Sequence, residues 1–489
     1  MTKPTFNVIN FGCRATQADG AAVEQAFRDS GLKKSENWET SDLVVVNTCT
    51  VTHAADAEAR QAIRRIHREN PRARIVVTGC YAQRAPEELA NLEGVTCVVG
   101  NSHKEHLVPL VMQHHLPASE VSLSSGPLPS DSSGAAVYCS SIFESTRLRA
   151  ISDFAGGGRT RPVLKVQDGC SYRCSYCVIP YVRGNSRSLP PTEVLRQVDR
   201  LLDQGFQEIV LTGIHLGGYG RDWGDGQNLA SLIRLILSRE RLQRLRLSSV
   251  EPLEMTEEII DLIASSDRMA RHFHVPLQSG SDRILRLMRR PYTAEEYLNL
   301  TRRIRKACPD AAIGADVMVG FPTESEEDHK FTQSLLAAAP LTYLHVFPYS
   351  SRPGTASLQL SPEVPPPTMQ RRSRELRTIG TIKNHDFRAT FLGRTLSAIS
   401  LDSEKQPGTR EALTSNYLKV ELVESNILPN RLFEVMVTGL TDQGVKGSVE
   451  RATSLAFQDN LSHGVFVGMA QTDPTVAGTQ AVGKFKGFS

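Results

Sequence analysis

The chain has 489 residues, which is too many for one ordinary globular core and predicts several domains. Hydrophobic residues make up 40% of the chain and charged residues 22%, and no apolar run reaches membrane-spanning length, so a soluble protein without a membrane partner is expected. The formal net charge of +3 is too small to indicate a nucleic-acid partner by itself.

The N-terminus and the cysteines bear on the location of the protein. The first residues, "MTKPTFNVINFGCRATQ", lack the regions of a secretory signal, so a cytoplasmic location is expected. Because thiols stay reduced in that compartment, the nine cysteines predict metal or redox chemistry and not a disulfide framework.

Residues 1–115 alternate short apolar runs with amphipathic segments. The runs that end at Cys13, Cys49 and Cys80 are rich in β-branched residues and predict buried strands, with helices between them, so a parallel βαβ domain is expected. Ligands sit at the carboxyl ends of strands in such a sheet, which makes the three thiols candidates for a common metal site. The alternative is that they are small buried apolar residues.

Ser, Pro and Gly dominate residues 116–158, which predicts a linker. Residues 159–385 then alternate helical patterns with six apolar runs that predict strands. These runs are "PVLKVQ", "EIVLTG", "RLRLSSV", "RHFHVPL", "AIGADVMVG" and "LTYLHVFPY". Six βα units are too few to close an eight-stranded barrel, so an open, partial (β/α)6 barrel is expected.

Short β-like runs separated by turns fill residues 386–455 and predict a small antiparallel β-barrel. The whole chain is therefore expected to be an α/β protein of three domains. Basic residues cluster in several predicted helices, one of them near 369–389, and on charge alone solvated helix faces are the simpler interpretation. No role follows for the tail, residues 456–489.

Three further cysteines, Cys170, Cys174 and Cys177, lie within eight residues after the first strand of the central region. A four-iron cluster takes one thiolate per iron, so three cysteines leave one iron with an open coordination position. An open position distinguishes reactive metal sites from structural ones. The alternatives are a zinc site with a distant fourth ligand or three cysteines with no shared role; the spacing favours the cluster.

The Cys-x3-Cys-x2-Cys motif resembles the signature of the radical S-adenosylmethionine (radical SAM) superfamily. Later segments resemble its methylthiotransferase subgroup, and the C-terminal region resembles the RNA-binding TRAM β-barrel of that subgroup. The segments are "EIVLTGIHLGGYG", "SSVEP", "HVPLQSGSDRILRLMRRPYT" and "GADVMVGFPTE". The resemblance covers about residues 5–455. One departure is Ala412, which stands in "REALTSNYLKV" where a glycine is expected.

The resemblance implies two 4Fe-4S clusters and S-adenosyl-L-methionine (SAM) as cofactors. Cys170, Cys174 and Cys177 are expected to hold the cluster that splits SAM to a 5′-deoxyadenosyl radical. The N-terminal cysteines are expected to hold an auxiliary cluster that supplies sulfur. Residues expected to contact SAM are Thr212, Gly213, His215, Ser249, Glu251 and Asp316. A packing role for His215, and solvated loop positions for Glu251 and Asp316, are equally good interpretations.

Two segments, around Cys49 and around Cys174, are most similar to the branch that modifies N6-threonylcarbamoyladenosine at position 37 of tRNA. The resemblance implies insertion of a methylthio group at C2 of that base, with two SAM molecules per turnover. An unpaired anticodon-loop base is a usual target of RNA recognition. An electron donor such as flavodoxin or ferredoxin and a sulfur donor are expected partners. The alternatives are prenylated adenosine of tRNA, an aspartate of a ribosomal protein or, more distantly, a non-catalytic iron–sulfur or RNA-binding protein.

Overall fold

The computed structural model describes residues 3–115, 134–151, 159–403, 409–423 and 427–452. Much of the predicted linker, at 116–133 and 152–158, and the whole of the tail 456–489 lie outside these residues. Within the described ranges, no helix is both long and apolar enough to cross a membrane.

The N-terminal region is a parallel sheet flanked by helices, as predicted. Its strands are β1 (Thr5–Asn10), β2 (Lys33–Lys34), β3 (Leu43–Thr48), β4 (Arg74–Gly79), β5 (Val95–Gly100) and β6 (Ala136–Tyr138), in the spatial order β2-β1-β3-β4-β5-β6. Its helices are α1 (Arg14–Asp29), α2 (His53–Glu69), α3 (Cys80–Arg84), α4 (Pro86–Ala90) and α5 (Leu107–His115). Strand β3 is buried throughout because helices cover both faces of the sheet. Strand β6 extends the sheet with residues from the middle of the predicted linker.

The central region contains all six predicted parallel strands. Its strands are β7 (Val163–Asp168), β8 (Arg187–Ser188), β9 (Glu208–Gly213), β10 (Arg244–Leu247), β11 (His272–His274), β12 (Ala312–Val319) and β13 (Tyr343–Pro348). They form two sheets, β10-β9-β7-β8 and β11-β12-β13, which a parallel bridge between Leu245 and Met269 connects. Only the short β8 pairs antiparallel. The fold is the open, partial barrel that six βα units predict.

Helices cover the outer side of this barrel. They are α7 (Pro191–Asp203), α8 (Leu229–Leu237), α9 (Glu257–Ser265), α10 (Asp282–Leu287), α11 (Ala294–Ala307), α12 (Glu326–Ala338) and α13 (Pro366–Ala389). The short helix α6 (Ile179–Arg183) instead packs against Cys80 of the N-terminal region. Alternate strand residues, such as Ile313, Ala315 and Val317 of β12, pack against these helices in the largest core. Because side chains alternate along a strand, the residues between them point the other way.

We call that opposite side the inner face. Its residues are Val163, Lys165, Gln167, Glu208, Val210, Thr212, Arg244, Arg246, His272, His274, Gly314, Asp316, Tyr343 and His345. Helix α1 of the N-terminal region covers part of it, where Ala18 packs on Val163 and Val210. The inner face is therefore largely polar and lies against another domain.

The C-terminal region is a closed five-stranded barrel. Its strands are β14 (Thr395–Ser400), β15 (Thr409–Thr414), β16 (Lys419–Val423), β17 (Leu432–Leu440) and β18 (Val445–Ala452), in the order β14-β15-β16-β18-β17. All pairs are antiparallel, as predicted, except the parallel pair of β16 and β18. Ala412, which replaces the expected glycine, is fully buried in the barrel core with Val420 and Phe433.

Candidate active site between the two cysteine sites

Cys170, Cys174 and Cys177, here called the loop cysteine site, lie in the loop that leads from β7 to α6. The loop begins at Gly169, whose positive φ of 72° and close approach to Asn185 leave no room for a Cβ. None of the three cysteines forms a disulfide, and each residue is partly exposed. Burial, together with the neighbouring Cys174 and Cys170, raises the pKa of Cys177 to about 12. The three thiols are therefore close together, and a bound cation is needed to hold them as thiolates.

Two positively charged side chains contact this site. Arg290 donates from Nη1 to Cys174 Sγ at 3.4 Å and also pairs with Glu251. His215 contacts Cys170, and its Nε2 lies 2.7 Å from a Glu254 carboxylate oxygen. Burial lowers the pKa of His215, but the neighbouring Cys170 and the hydrogen bond to Glu254 raise it to about 10. These cations lower the cost of gathering thiolates and an electron-rich cluster in a partly buried loop.

The structure divides the predicted SAM-contacting residues into two groups. His215 and Glu251 lie next to the loop cysteine site through the contacts above, and Thr212 and Gly213 precede them at the end of β9. Ser249 and Asp316 lie deeper on the inner face and meet at His274, which is 2.6 Å from the Ser249 hydroxyl and 3.3 Å from Asp316. The role of all six residues toward SAM stays a prediction.

Sequence reasoning missed Glu254, which is 2% exposed and organises one side of the site. Its carboxylate accepts hydrogen bonds from Tyr172 and Arg221, each at 2.9 Å, in addition to His215. It also missed Arg290, which lies in the segment "HVPLQSGSDRILRLMRRPYT" that carries part of the family resemblance. For Glu254, the sequence offered one signal: a second glutamate lies three residues after Glu251, in the same loop at the end of a predicted strand.

Cys13, Cys49 and Cys80, here called the N-terminal cysteine site, meet at one edge of the N-terminal sheet. They cap α1, follow β3 and begin α3, respectively. Burial raises the pKa of Cys49 to about 12, with further contributions from Cys80 and Cys13. Gly12, with φ of 103°, lets the first loop approach Cys49, because a Cβ there would lie 2.9 Å from its sulfur. The convergence expected from strand order is therefore present.

Arg183 joins the two cysteine sites. It is 1% exposed, lies at the end of the loop site's helix α6, and donates from Nε to Cys80 Sγ at 3.1 Å. Its remaining nitrogens bind Asp168 at 2.9 Å and Asp19 at 3.0 Å. Lys104 and Lys165 complete this buried ionic cluster by pairing with Asp19. The cluster and the apolar contact of Cys80 with α6 hold the two sites across one interface.

The donor sets fit two iron–sulfur clusters better than zinc. Each site offers three thiols, and the described residues bring no fourth cysteine and no disulfide to either. Each also has a positive side chain that donates to a sulfur, Arg290 or Arg183. Three ligands and one open iron suit a cluster that binds a further molecule.

Comparisons with known proteins agree with this geometry. Residues 164–336 match the model of the Radical SAM superfamily, and residues 5–100 match that of Uncharacterized protein family UPF0004. The chain is 39% identical, over 84% of its length and 94% of the relative, to Threonylcarbamoyladenosine tRNA methylthiotransferase MtaB of Aquifex aeolicus. It is 34% identical, over 87% and 92%, to the Bacillus subtilis protein of that name.

Other relatives carry a different name. The chain is 31% identical, over 91% of its length and 98% of the relative, to the tRNA-2-methylthio-N(6)-dimethylallyladenosine synthase of Zymomonas mobilis. Among solved structures, the radical SAM methyltransferase TsrM of Kitasatospora setae matches with a TM-score of 0.52, over 71% of this chain and 75% of that one. At 18% identity this is a likeness of fold alone.

Proposed function

Because this chain belongs to the radical SAM methylthiotransferases, we propose that it inserts a methylthio group at C2 of N6-threonylcarbamoyladenosine at position 37 of tRNA. The observation that carries the proposal is the placement of two three-cysteine sites across one interface, joined by Arg183. Sulfur insertion at an unactivated aromatic carbon needs a radical source and a sulfur source within reach of one substrate, and this arrangement supports both.

As a radical SAM protein the chain uses a 4Fe-4S cluster and SAM, for which the loop cysteine site is the proposed location. The N-terminal cysteine site would hold the second cluster. When bound, these groups supply a SAM-derived carbon radical and the inserted sulfur. The chain contributes binding, orientation and electrostatics.

Charged side chains of the chain prepare both sites. Arg290 places a positive charge at Cys174 and orients Glu251, while protonated His215 places one at Cys170. Arg183 stabilises the Cys80 thiolate and ties it to Asp168 at the end of β7. Each contact lowers the energy of a thiolate in its site.

The proposed SAM site lies on the polar inner face and in the loops that follow its strands. Thr212, Gly213, His215, Ser249, Glu251 and Asp316 offer hydroxyl, backbone, imidazole and carboxylate groups there. An amino acid head and a ribose need such partners. We further expect an electron donor of the flavodoxin or ferredoxin type and a separate sulfur donor.

The substrate proposal follows the relatives from Aquifex aeolicus and Bacillus subtilis. Prenylated adenosine of tRNA is the second candidate, because the Zymomonas mobilis relative is nearly as similar. Both candidates share the reaction and differ in the group on N6.

Mass spectrometry of tRNA nucleosides tests the proposal in cells that lack the protein and in cells with it restored. Loss and recovery of 2-methylthio-threonylcarbamoyladenosine is expected, and neither Cys174→Ala nor Cys49→Ala should restore it. Cys308→Ala is the matched control, since Cys308 is a buried cysteine of the outer barrel core. Loss of the prenylated nucleoside would keep the reaction and change the substrate. An unchanged nucleoside profile would contradict the proposal.

A further inference from the structure

Five rings from two domains form one wall on the inner face. We call His272, His274, Tyr343, His345 and Tyr417 the ring wall; the last comes from the C-terminal barrel. His272 stacks on Tyr417 with ring centroids 4.2 Å apart, and it lies parallel to Tyr343 at 6.1 Å with an interplanar angle of 7°. His274 and His345 continue the wall at 5.2 Å. His272 and His274 are buried, at 2% and 7% exposure, so the partly exposed rings of Tyr343, His345 and Tyr417 are the ones available to a flat nucleobase. Bases stack on aromatic and imidazole rings of this kind.

Arginines surround the end of the ring wall that Tyr417 of the C-terminal barrel forms. Arg14, the residue after Cys13, donates to the Tyr417 hydroxyl at 2.9 Å. In the part of the chain that the structure describes, this is the hydrogen bond that Arg14 makes, and no carboxylate lies within ion-pair distance of it. Burial and the charge of Arg14 both lower the pKa of Arg159, so the two guanidinium groups are close.

Three more arginines share a single carboxylate behind the wall. Arg161, Arg244 and Arg246 all pair with Glu208. Together with Arg14 and Arg159, five guanidinium groups face one carboxylate, which leaves four positive charges. The acidic group of the wall itself, Asp316, is already engaged by His274 and His345. The region therefore has an excess of positive charge.

Two wall residues show the effect of this positive field. Burial lowers the pKa of His272 well below its usual value, and Arg246 and Arg14 lower it further, so its imidazole is neutral. Its Nδ1 is buried and, within the described residues, has no hydrogen-bond partner. Burial raises the pKa of Tyr417, but Arg14, Arg161 and Arg246 bring it below the ordinary value. An anion would be stabilised at this place.

We propose that Arg14 binds the carboxylate of the substrate's threonylcarbamoyl group while the modified base stacks on the ring wall. This inference rests on the proposed function. The Arg14 side chain reaches from the N-terminal cysteine site, where it follows Cys13, to Tyr417 of the ring wall. A prenyl group carries no charge, so it would cover the guanidinium without giving it a partner, which is unfavourable. Arg14 is thus the residue that selects the acidic substituent.

Binding of anticodon stem-loop RNAs to the cluster-loaded full chain tests the inference by fluorescence anisotropy. The probes carry threonylcarbamoyladenosine, its neutral methyl ester or unmodified adenosine at the same position. Wild-type protein is expected to bind the acid about 10- to 100-fold more tightly than the ester, the strength of a charge-assisted hydrogen bond. Arg14→Gln should bind the two alike, and Arg14→Lys should restore part of the preference.

The matched control is Arg28→Gln on the same helix, where Arg28 is exposed and paired with Glu24 at 2.8 Å. It should keep the wild-type preference, and iron content and thermal melting should show that each variant is folded and loaded. Equal binding of acid and ester by the wild type would overturn the inference. So would a uniform loss by Arg14→Gln on all three RNAs, since Arg14 would then contact a backbone phosphate. Nucleoside analysis tests the proposed function separately, and either result can fail alone.

Discussion

At the scale of single residues, Arg183 is a fully buried arginine that connects two regions of the chain. Its guanidinium is buried, touches the sulfur of Cys80, and pairs with Asp168 and Asp19 from two different regions of the chain. Removing one partner of a buried ionic group leaves the others without compensation, which costs about 3–5 kcal/mol. One side chain thereby couples the geometry of both cysteine sites.

The first prediction concerns Arg183→Gln. It should lower the free energy of unfolding by about 3–5 kcal/mol and reduce the iron bound per chain, because Cys80 loses its cationic partner. Thermal melting and iron analysis after anaerobic reconstitution measure the two effects. The control is Arg241→Gln, which breaks an exposed ion pair with Asp203 and should change stability by no more than about 1 kcal/mol. Equal effects of the two substitutions would refute the coupling role.

The two groups of three cysteines could be singled out from the sequence because each cysteine lies in a recognisable local motif or at a strand end; their role as cluster ligands stays a prediction. The partners of these cysteines could not be singled out in this way. Arg183 lies 103 positions from Cys80, and Arg290 lies 116 positions from Cys174. The first contact depends on how the barrel packs on the N-terminal sheet and the second on how distant segments of the barrel pack together, and no local sequence pattern encodes either.

At the scale of elements, the ring wall depends on one glycine of β12. A Cβ on Gly314 would lie 2.0 Å from the Tyr343 ring on the neighbouring strand, so the ring crosses β12 only because that position lacks a side chain. Gly314 and Asp316 lie on the same face because side chains alternate along a strand. Gly314 thus leaves room for the Tyr343 ring beside the Asp316 carboxylate.

The second prediction is that Gly314→Ala displaces Tyr343 and lowers the free energy of unfolding by about 1–3 kcal/mol, the usual cost of overpacking. Tyr343→Ala in the same chain should relieve that clash, so a double-mutant cycle in denaturant is expected to show strong coupling. Gly439→Ala is the control, since the nearest atoms there would be 3.9 Å from the new Cβ. Additive effects of Gly314→Ala and Tyr343→Ala would contradict the steric explanation.

Element type was predictable where a pattern repeats over enough residues. The six parallel strands of the barrel have alternating or continuous apolar runs, and all six were predicted. Strands β6 and β8 have three and two residues, too few for a period to appear. The parallel pairing of β16 with β18 follows from closing the barrel and is not encoded in either strand.

At the scale of the whole molecule, Glu208 connects the central region to the C-terminal barrel. Its buried carboxylate pairs with Arg246 at 2.7 Å and with Arg244 at 3.4 Å. Arg246 in turn donates to the carbonyl oxygens of Thr414 and Ser415, each at 3.1 Å. The barrel therefore docks on arginines that a single carboxylate holds in place, beside the ring wall that its Tyr417 completes.

The last prediction concerns the pH dependence of this contact. Burial raises the pKa of Glu208, but Arg246, Arg161 and Arg244 lower it to about 2, against an ordinary value of 4.5. Because the folded pKa is the lower one, the stabilising contribution is fully present above pH 4.5 and is lost as pH falls toward about 2. A shift of this size corresponds to roughly 3 kcal/mol.

Glu208→Gln mimics the protonated carboxyl group, so it should be less stable than the wild type at pH 7 by about 3 kcal/mol or more, because the arginines stay buried and uncompensated. The difference should shrink as pH falls from 4.5 toward 2, since the wild-type carboxylate is then protonated as well. Denaturant unfolding of both proteins across this range measures it. The control Glu257→Gln breaks an exposed ion pair with Arg303 and should differ little from the wild type at any pH. A wild-type advantage that persists unchanged at the acid end would show that the contact does not depend on the Glu208 charge.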